Sequence, residues 1–240
     1  MGKYQIRIDQ GATFRLRSYW RSPAKDPSSG DFILDDAGNV VPGPPVLLTN
    51  YTARMQIRKS ISDAVKLLEL TTENGGIDIP DTSDVRMLSD CKVATTDPIT
   101  LSGVQTIDGV AVVVGDNVLV KNQADASTNG IYAAASGAWV RAPGATTAPQ
   151  LTEGATTWVR LGTVAGDSVW TQGAALASLA VAQTWGSRID VGRFEIVATA
   201  AQTATLLSSG VYDVELVSSS GEVARVLEGK MRLSAEVTRV

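Results

Sequence analysis

At 240 residues the chain is long enough for one or two domains, each able to bury a core of its own. Its formal net charge of −4 and 44% apolar content suit an ordinary globular protein and argue against a nucleic-acid binder, which carries a basic excess. It has no histidine and one cysteine, Cys91, which removes Ser-His-Asp and Cys-His catalysis, the commonest zinc ligand and any intrachain disulfide.

The first residues, Met-Gly-Lys-Tyr-Gln-Ile-Arg-Ile-Asp, alternate polar with apolar and lack the apolar block of a secretory signal, which points to folding in a cytoplasm. No run reaches the 18 or so apolar residues needed to cross a bilayer, so no membrane insertion is expected. Tyr4, Ile6 and Ile8 define one strand and Phe14 and Leu16 a second, with Gln10-Gly11-Ala12 turning between them. Their other face is basic, as a half-exposed antiparallel sheet allows. Ser22 to Pro45 holds most of the prolines and reads as a long loop or a decorated hairpin. Asp35-Asp36-Ala37-Gly38-Asn39 is a turn inside it, between Phe32-Ile33-Leu34 and Val40-Val41. Ala53, Met55 and Ile57 then face one way and Arg54, Gln56 and Arg58 the other. A strand begins at Leu67, and Glu73-Asn74-Gly75-Gly76 supplies a turn.

Short strands continue through Val110 to Val114, Asn117 to Val120, Ile131 to Ala134, Trp139 to Arg141, Thr157 to Leu161 and Ser168 to Thr171. Gly-Asp-x-Val occurs at 115–118 and 166–169, and Trp-Val-Arg at 139–141 and 158–160. The reversed order of the two copies marks similar hairpin edges in one small β-fold rather than a tandem repeat. Gly173 to Ala182 is a linker or a thin strand. Beyond it lie a strand around Phe194 to Ala198, a short helix over 200–207, a hairpin of Val211–Val217 with Val223–Leu227 around Ser218-Ser219-Ser220-Gly221, and a last strand Lys230–Val237.

Charge divides the chain. Residues 93–185 carry nine charged side chains, against 37 in the 147 residues of the two flanks. A composition that changes and then returns suggests one domain set into a loop of another. The expected fold is therefore all-β: a discontinuous β-sandwich formed by 1–92 and 186–240, with one short helix, and a small β-domain of 93–185 inserted in one of its loops and displayed from it.

Several constellations invite a chemical reading. Arg15 and Arg17 share one strand face and Arg54 and Arg58 another. They make either a solvated sheet face with cross-strand charge pairs or a docking face for an acidic partner. Tyr132 and Trp139, with the amides of Asn122, Gln123 and Asn129, could stack on a sugar ring and bond its hydroxyls, which would make 93–185 a weak glycan binder. Asp78, Asp81 and Asp84 with Ser83, and Asp26, Asp31, Asp35 and Asp36, are oxygen-rich enough to consider for calcium, but neither set has EF-hand spacing and both contain ordinary turns. The glycine-rich turns lack the Gly-Lys-Ser/Thr ending of a phosphate loop. No catalytic set, cofactor site or metal site is expected.

Longer motifs carry a resemblance. The ordered run Ala94-Thr95-Thr96, Ile99 to Gly109, Gly115-Asp-Asn-Val-Leu-Val-Lys-Asn-Gln123, Asn129-Gly-Ile-Tyr132 and Gly137-Ala-Trp-Val-Arg-Ala142 resembles a β-module of tailed-bacteriophage tail-fibre and related virion proteins. The flanking runs Ile8 to Phe14, Tyr51 to Arg58, Leu70 to Ile77, Tyr212 to Val217 and Leu227 to Arg239 are similar to a β-sandwich domain of virion accessory proteins associated with tail-fibre, baseplate or head-fibre attachment. That domain is typically continuous, whereas here it is split. The resemblance implies a non-enzymatic virion protein, assembled in the host cytoplasm. Its partners would be copies of itself, other virion proteins and, in the alternative reading, a host-surface glycan.

Overall fold

The computed structural model describes residues 2–26 and 29–235. The chain is all-β, with one five-residue α-helix, Ala200–Ala204, among the described residues. It forms two compact units. The first comprises the described residues up to Trp20, together with Val46–Thr82 and Gly192 onward; the second comprises Arg21–Pro45 and Ser83–Val191. Strands are numbered below along the whole chain.

The first unit holds two sheets. In the larger, β20 (Gly210–Val217) pairs antiparallel with β6 (Thr52–Arg58) and with β21 (Val223–Ser234), and β6 pairs with β7 (Lys66–Thr71). On the far side of β21, β1 (Gly2–Lys3) and β2 (Ile6–Asp9) both run parallel to it. In the smaller sheet, β19 (Arg193–Ala198) lies between β3 (Phe14–Tyr19) and β8 (Ile77–Asp78). Period-two alternation sends every second residue inward. Met55 and Ile57 of β6, Val214 and Leu216 of β20, and Phe194 and Ile196 of β19 are almost fully buried in one shared cluster. Each such side chain contributes about 1.5–3 kcal/mol on burial. Segments before residue 83 thus share both sheets and core with segments after residue 191.

The second unit contains two four-stranded sheets. One runs β10 (Val93–Ala94), β13 (Asn117–Val120), β14 (Gly130–Ala133), β15 (Val140–Arg141). The other runs β9 (Arg86–Met87), β16 (Ala155–Val159), β17 (Ser168–Gln172), β18 (Trp185–Arg188). Each starts with a short parallel partner and continues as an antiparallel meander. The hydrogen bonds repeat as well. Lys92 N and Thr95 N donate to the carbonyls of Asn117 and Leu119, as Leu88 N and Cys91 N donate to those of Thr156 and Trp158. Val118 faces Tyr132 as Thr157 faces Trp170. The buried Trp139 and Trp185 stand at matching positions at the heads of the two third strands. The unit is a duplicated meander, fed by the consecutive tetrapeptides 88–91 and 92–95. A small hairpin of β11 (Thr106–Ile107) and β12 (Val110–Ala111) and a second of β4 (Arg21–Pro23) and β5 (Pro42–Pro45) complete it.

Four expectations change. The unit bounds are not 1–92, 93–185 and 186–240, because β9 and the Cys91–Val159 bridge tie 83–92 to the second unit, and β18 ties 186–188 to it. Three of the four charges that group 83–92 with the flanks are paired inside this unit: Asp84 with Arg188, Asp90 with Arg160 and Lys92 with Asp116. The proline-rich segment 21–45 also belongs here. Finally, β21 runs unbroken through Gly229, where a strand break was expected. The glycine is needed there because a Cβ would overlap the Tyr4 carbonyl. Residues 236–237 of the expected last strand lie outside the described residues.

Candidate interaction surfaces

The four arginines do not make one surface, because β3 and β6 belong to different sheets. On β3, Arg15 and Arg17 reach the two oxygens of Glu195, each at 3.4 Å. One carboxylate therefore serves two exposed guanidinium groups, and the face keeps a positive excess with the exposed ring of Tyr19 beside it. On β6, Arg54 binds Glu215 at 2.6 Å, and Arg225 reaches the same carboxylate at 3.3 Å and Asp213 at 3.3 Å. Burial pushes the Glu215 carboxyl up, but the hydrogen bonds and charges of Arg54 and Arg225 outweigh it and hold it below its usual range. Arg58 is spent on its own loop: it donates to the carbonyls of Asp63 (2.8 Å) and Ala64 (2.5 Å) and to the Gln56 side chain. The outer face of the larger sheet is a ladder of cross-strand pairs.

The aromatic and amide set does not form a platform for a sugar. Tyr132 is buried, with its hydroxyl donated to the Thr128 carbonyl and its ring covered by the Arg141 guanidinium at 4.7 Å. Trp139 is buried and donates Nε1 to the Gly103 carbonyl at 2.9 Å. Asn129 is also buried; its Oδ1 accepts from Gln123 N and its Nδ2 donates to the Gln183 carbonyl. Asn122 accepts from Thr95 Oγ1 and from Lys121 Nζ. These residues fasten the 121–129 connection to its surroundings, and a buried aromatic face cannot stack on a ligand. The oxygen-rich sets are engaged too: Asp84 binds Arg188, Asp78 lies 3.7 Å from Arg193, and Asp35 closes its own turn by accepting from Ala37 N and Asn39 N. Among the described residues no three metal-ligating side chains converge.

Two further surfaces stand out among the described residues. One is a groove of about 660 Å³ on the first unit, bordered by Tyr4, Gln5, Arg58, Ile61, Arg225 and Lys230. The other is the arm formed by 21–45. Its base is fixed: β4 pairs with β5, and Arg21 bonds Asp167 and lies over the Trp158 ring. Farther out, three strand segments meet in a closed triangle of backbone hydrogen bonds, Ala24 to Val41, Val41 to Ile33 and Ile33 to Ala24. Lys25 bridges Phe32 and Leu34 bridges Val40. Every residue from 29 to 40 is exposed. Directly opposed and alternate residues share a face, so Phe32, Leu34 and Val40 present one apolar surface, each about half exposed, with Lys25 at its edge. The sequence signals this arm as a decorated hairpin, with the turn Asp35–Asn39 between Phe32-Ile33-Leu34 and Val40-Val41, but not the exposure of its apolar residues. No protein-family model matches this chain, and no curated protein matches it either.

Proposed function

We propose that this protein is a structural component of a bacteriophage virion, a tail, baseplate or fibre-attachment part that associates with copies of itself and with other virion proteins. In this reading the first unit is a sandwich-type anchor and the second is the module it displays. The observation that carries it is how the chain uses the motif run from 94 to 142. Thr95, Asn122, Gln123, Asn129, Tyr132, Trp139 and Arg141 spend their polar groups on one another and on the backbone. The motifs that prompt the virion resemblance therefore specify a scaffold, as expected of a part selected for assembly rather than for turnover.

Mass spectrometry and cryo-electron microscopy of particles purified from the producing lysate test this. The chain is expected at a fixed copy number per particle, with density at the tail. Density on the capsid would reassign it as a decoration or head-fibre protein. Absence from washed particles would overturn the proposal.

A further inference from the structure

An arm with an uncovered apolar face needs a cover, and the chain carries a surface of suitable chemistry. From Lys25 to Val40 the arm bears four carboxylates, Asp26, Asp31, Asp35 and Asp36, against the single ammonium of Lys25. The β3 face has the opposite character: Arg15 and Arg17 are 64% and 50% exposed, share one carboxylate, and adjoin the exposed Tyr19 ring. One surface is acidic and apolar, the other basic and aromatic. We propose that the arm tip of one copy docks on the β3 face of a second copy, with Phe32, Leu34 and Val40 against Tyr19, and with the turn residue Asp36, at the end of the apolar row away from Lys25, facing Arg15 and Arg17.

Opposite charges steer such an encounter and reject the like-with-like alternatives, arm on arm and face on face. The two surfaces differ, so the contact is heterologous and propagates head to tail until a ring closes or a filament grows. A tip of twelve exposed residues is smaller than the roughly 20–30 residues on each side of a standard interface. A single contact is therefore weak, and closure of several makes the assembly persist. The inference rests on the self-assembly part of the proposed function and assigns the surfaces that carry it.

The test is light scattering after size exclusion on the full chain and on two surface variants, Phe32→Ser/Leu34→Ser and Arg15→Glu/Arg17→Glu. All four positions are at least half exposed, so circular dichroism is expected to match that of the parent for both variants; the thermal midpoint is expected to hold in Phe32→Ser/Leu34→Ser and to fall by a few degrees in Arg15→Glu/Arg17→Glu, where two carboxylates replace the partners of Glu195. The parent is expected to associate, increasingly so at low salt. Each variant is expected to need at least roughly tenfold higher concentration to do so. Mixing the two variants is diagnostic, because each keeps the surface the other lacks: a one-to-one dimer that grows no further is expected. A parent that stays monomeric would overturn both this inference and the self-assembly reading. A parent that associates while both variants do the same, or variants that fail to pair on mixing, would overturn the inference alone.

Discussion

Gly130 lies directly beneath the guanidinium of Arg141: a Cβ at 130 would overlap Arg141 Nη1. The glycine also has φ +142°, a conformation other residues avoid. Arg141 uses that space to donate to the carbonyls of Asn129, at 2.6 Å, and Ser127, at 3.3 Å. Gly130→Ala is expected to lower stability by about 2–4 kcal/mol, from strain plus carbonyls left unpaired. Adding Arg141→Ala should cost little more, because the two share one interaction. Urea unfolding of the single and double variants measures this, and additive losses would contradict it.

Glu215 sets an acid limit. Its folded pKa lies below the ordinary 4.5, so the stability it contributes is whole above that value and is lost as pH falls through the folded value. Thermal midpoints of the parent should drop below about pH 4.5, and Glu215→Gln should flatten part of that drop. At neutral pH the substitution should cost roughly 1 kcal/mol, since Arg54 and Arg225 are half exposed and screened.

Cys91 is expected to be inert. Burial pushes its thiol up to about 12, so almost no thiolate exists at neutral pH. Iodoacetamide should leave the native chain unlabelled at pH 8 and modify it fully in denaturant, as read by intact mass. Cys91→Asp would place a charge among Leu119, Ile131 and Val159 and should prevent folding of the second unit.

Gly229→Ala should loosen the N-terminal strands. The added methyl meets the Tyr4 carbonyl, which also accepts the Tyr212 hydroxyl at 3.1 Å. Hydrogen exchange should rise first at Tyr4 and Ile6–Asp9, while β6 and β20 keep their protection. Faster exchange spread evenly over the first unit would contradict this.

Much of the first unit was legible in the sequence, because alternation reports burial directly when one sheet face is wet. The pattern puts Ala53, Met55 and Ile57 on one face and Arg54, Gln56 and Arg58 on the other, and the structure buries the first set and turns the second outward. The turn at Ser218–Gly221 formed as its residues indicate. Length is less legible: composition predicts a helix over 200–207, but it stops at Ala204, its start fixed by the Thr199–Gln202 capping box. Gly229 misled because one residue type serves both strand breaks and close backbone approach. The second unit was harder still. Its repeated motifs fall on strands that do not correspond: Gly-Asp-x-Val opens β13, a first strand, but β17, a second. The true duplication lies in hydrogen-bond register, where side-chain identity has little say. Tyr132 and Trp139 were open to a ligand reading because composition does not reveal which aromatic is covered.

The parallel pairing of β2 with β21, Ile6 against Met231 through Asp9 against Ser234, has a mechanical meaning. A pull on the outer ends of two parallel neighbours slides one along the other, so the rungs between them bear load together instead of opening one after another. Tension entering near residue 6 and leaving near residue 234 meets this clamp first. The second unit, enclosed between those points along the chain, feels no stretch until the clamp slips.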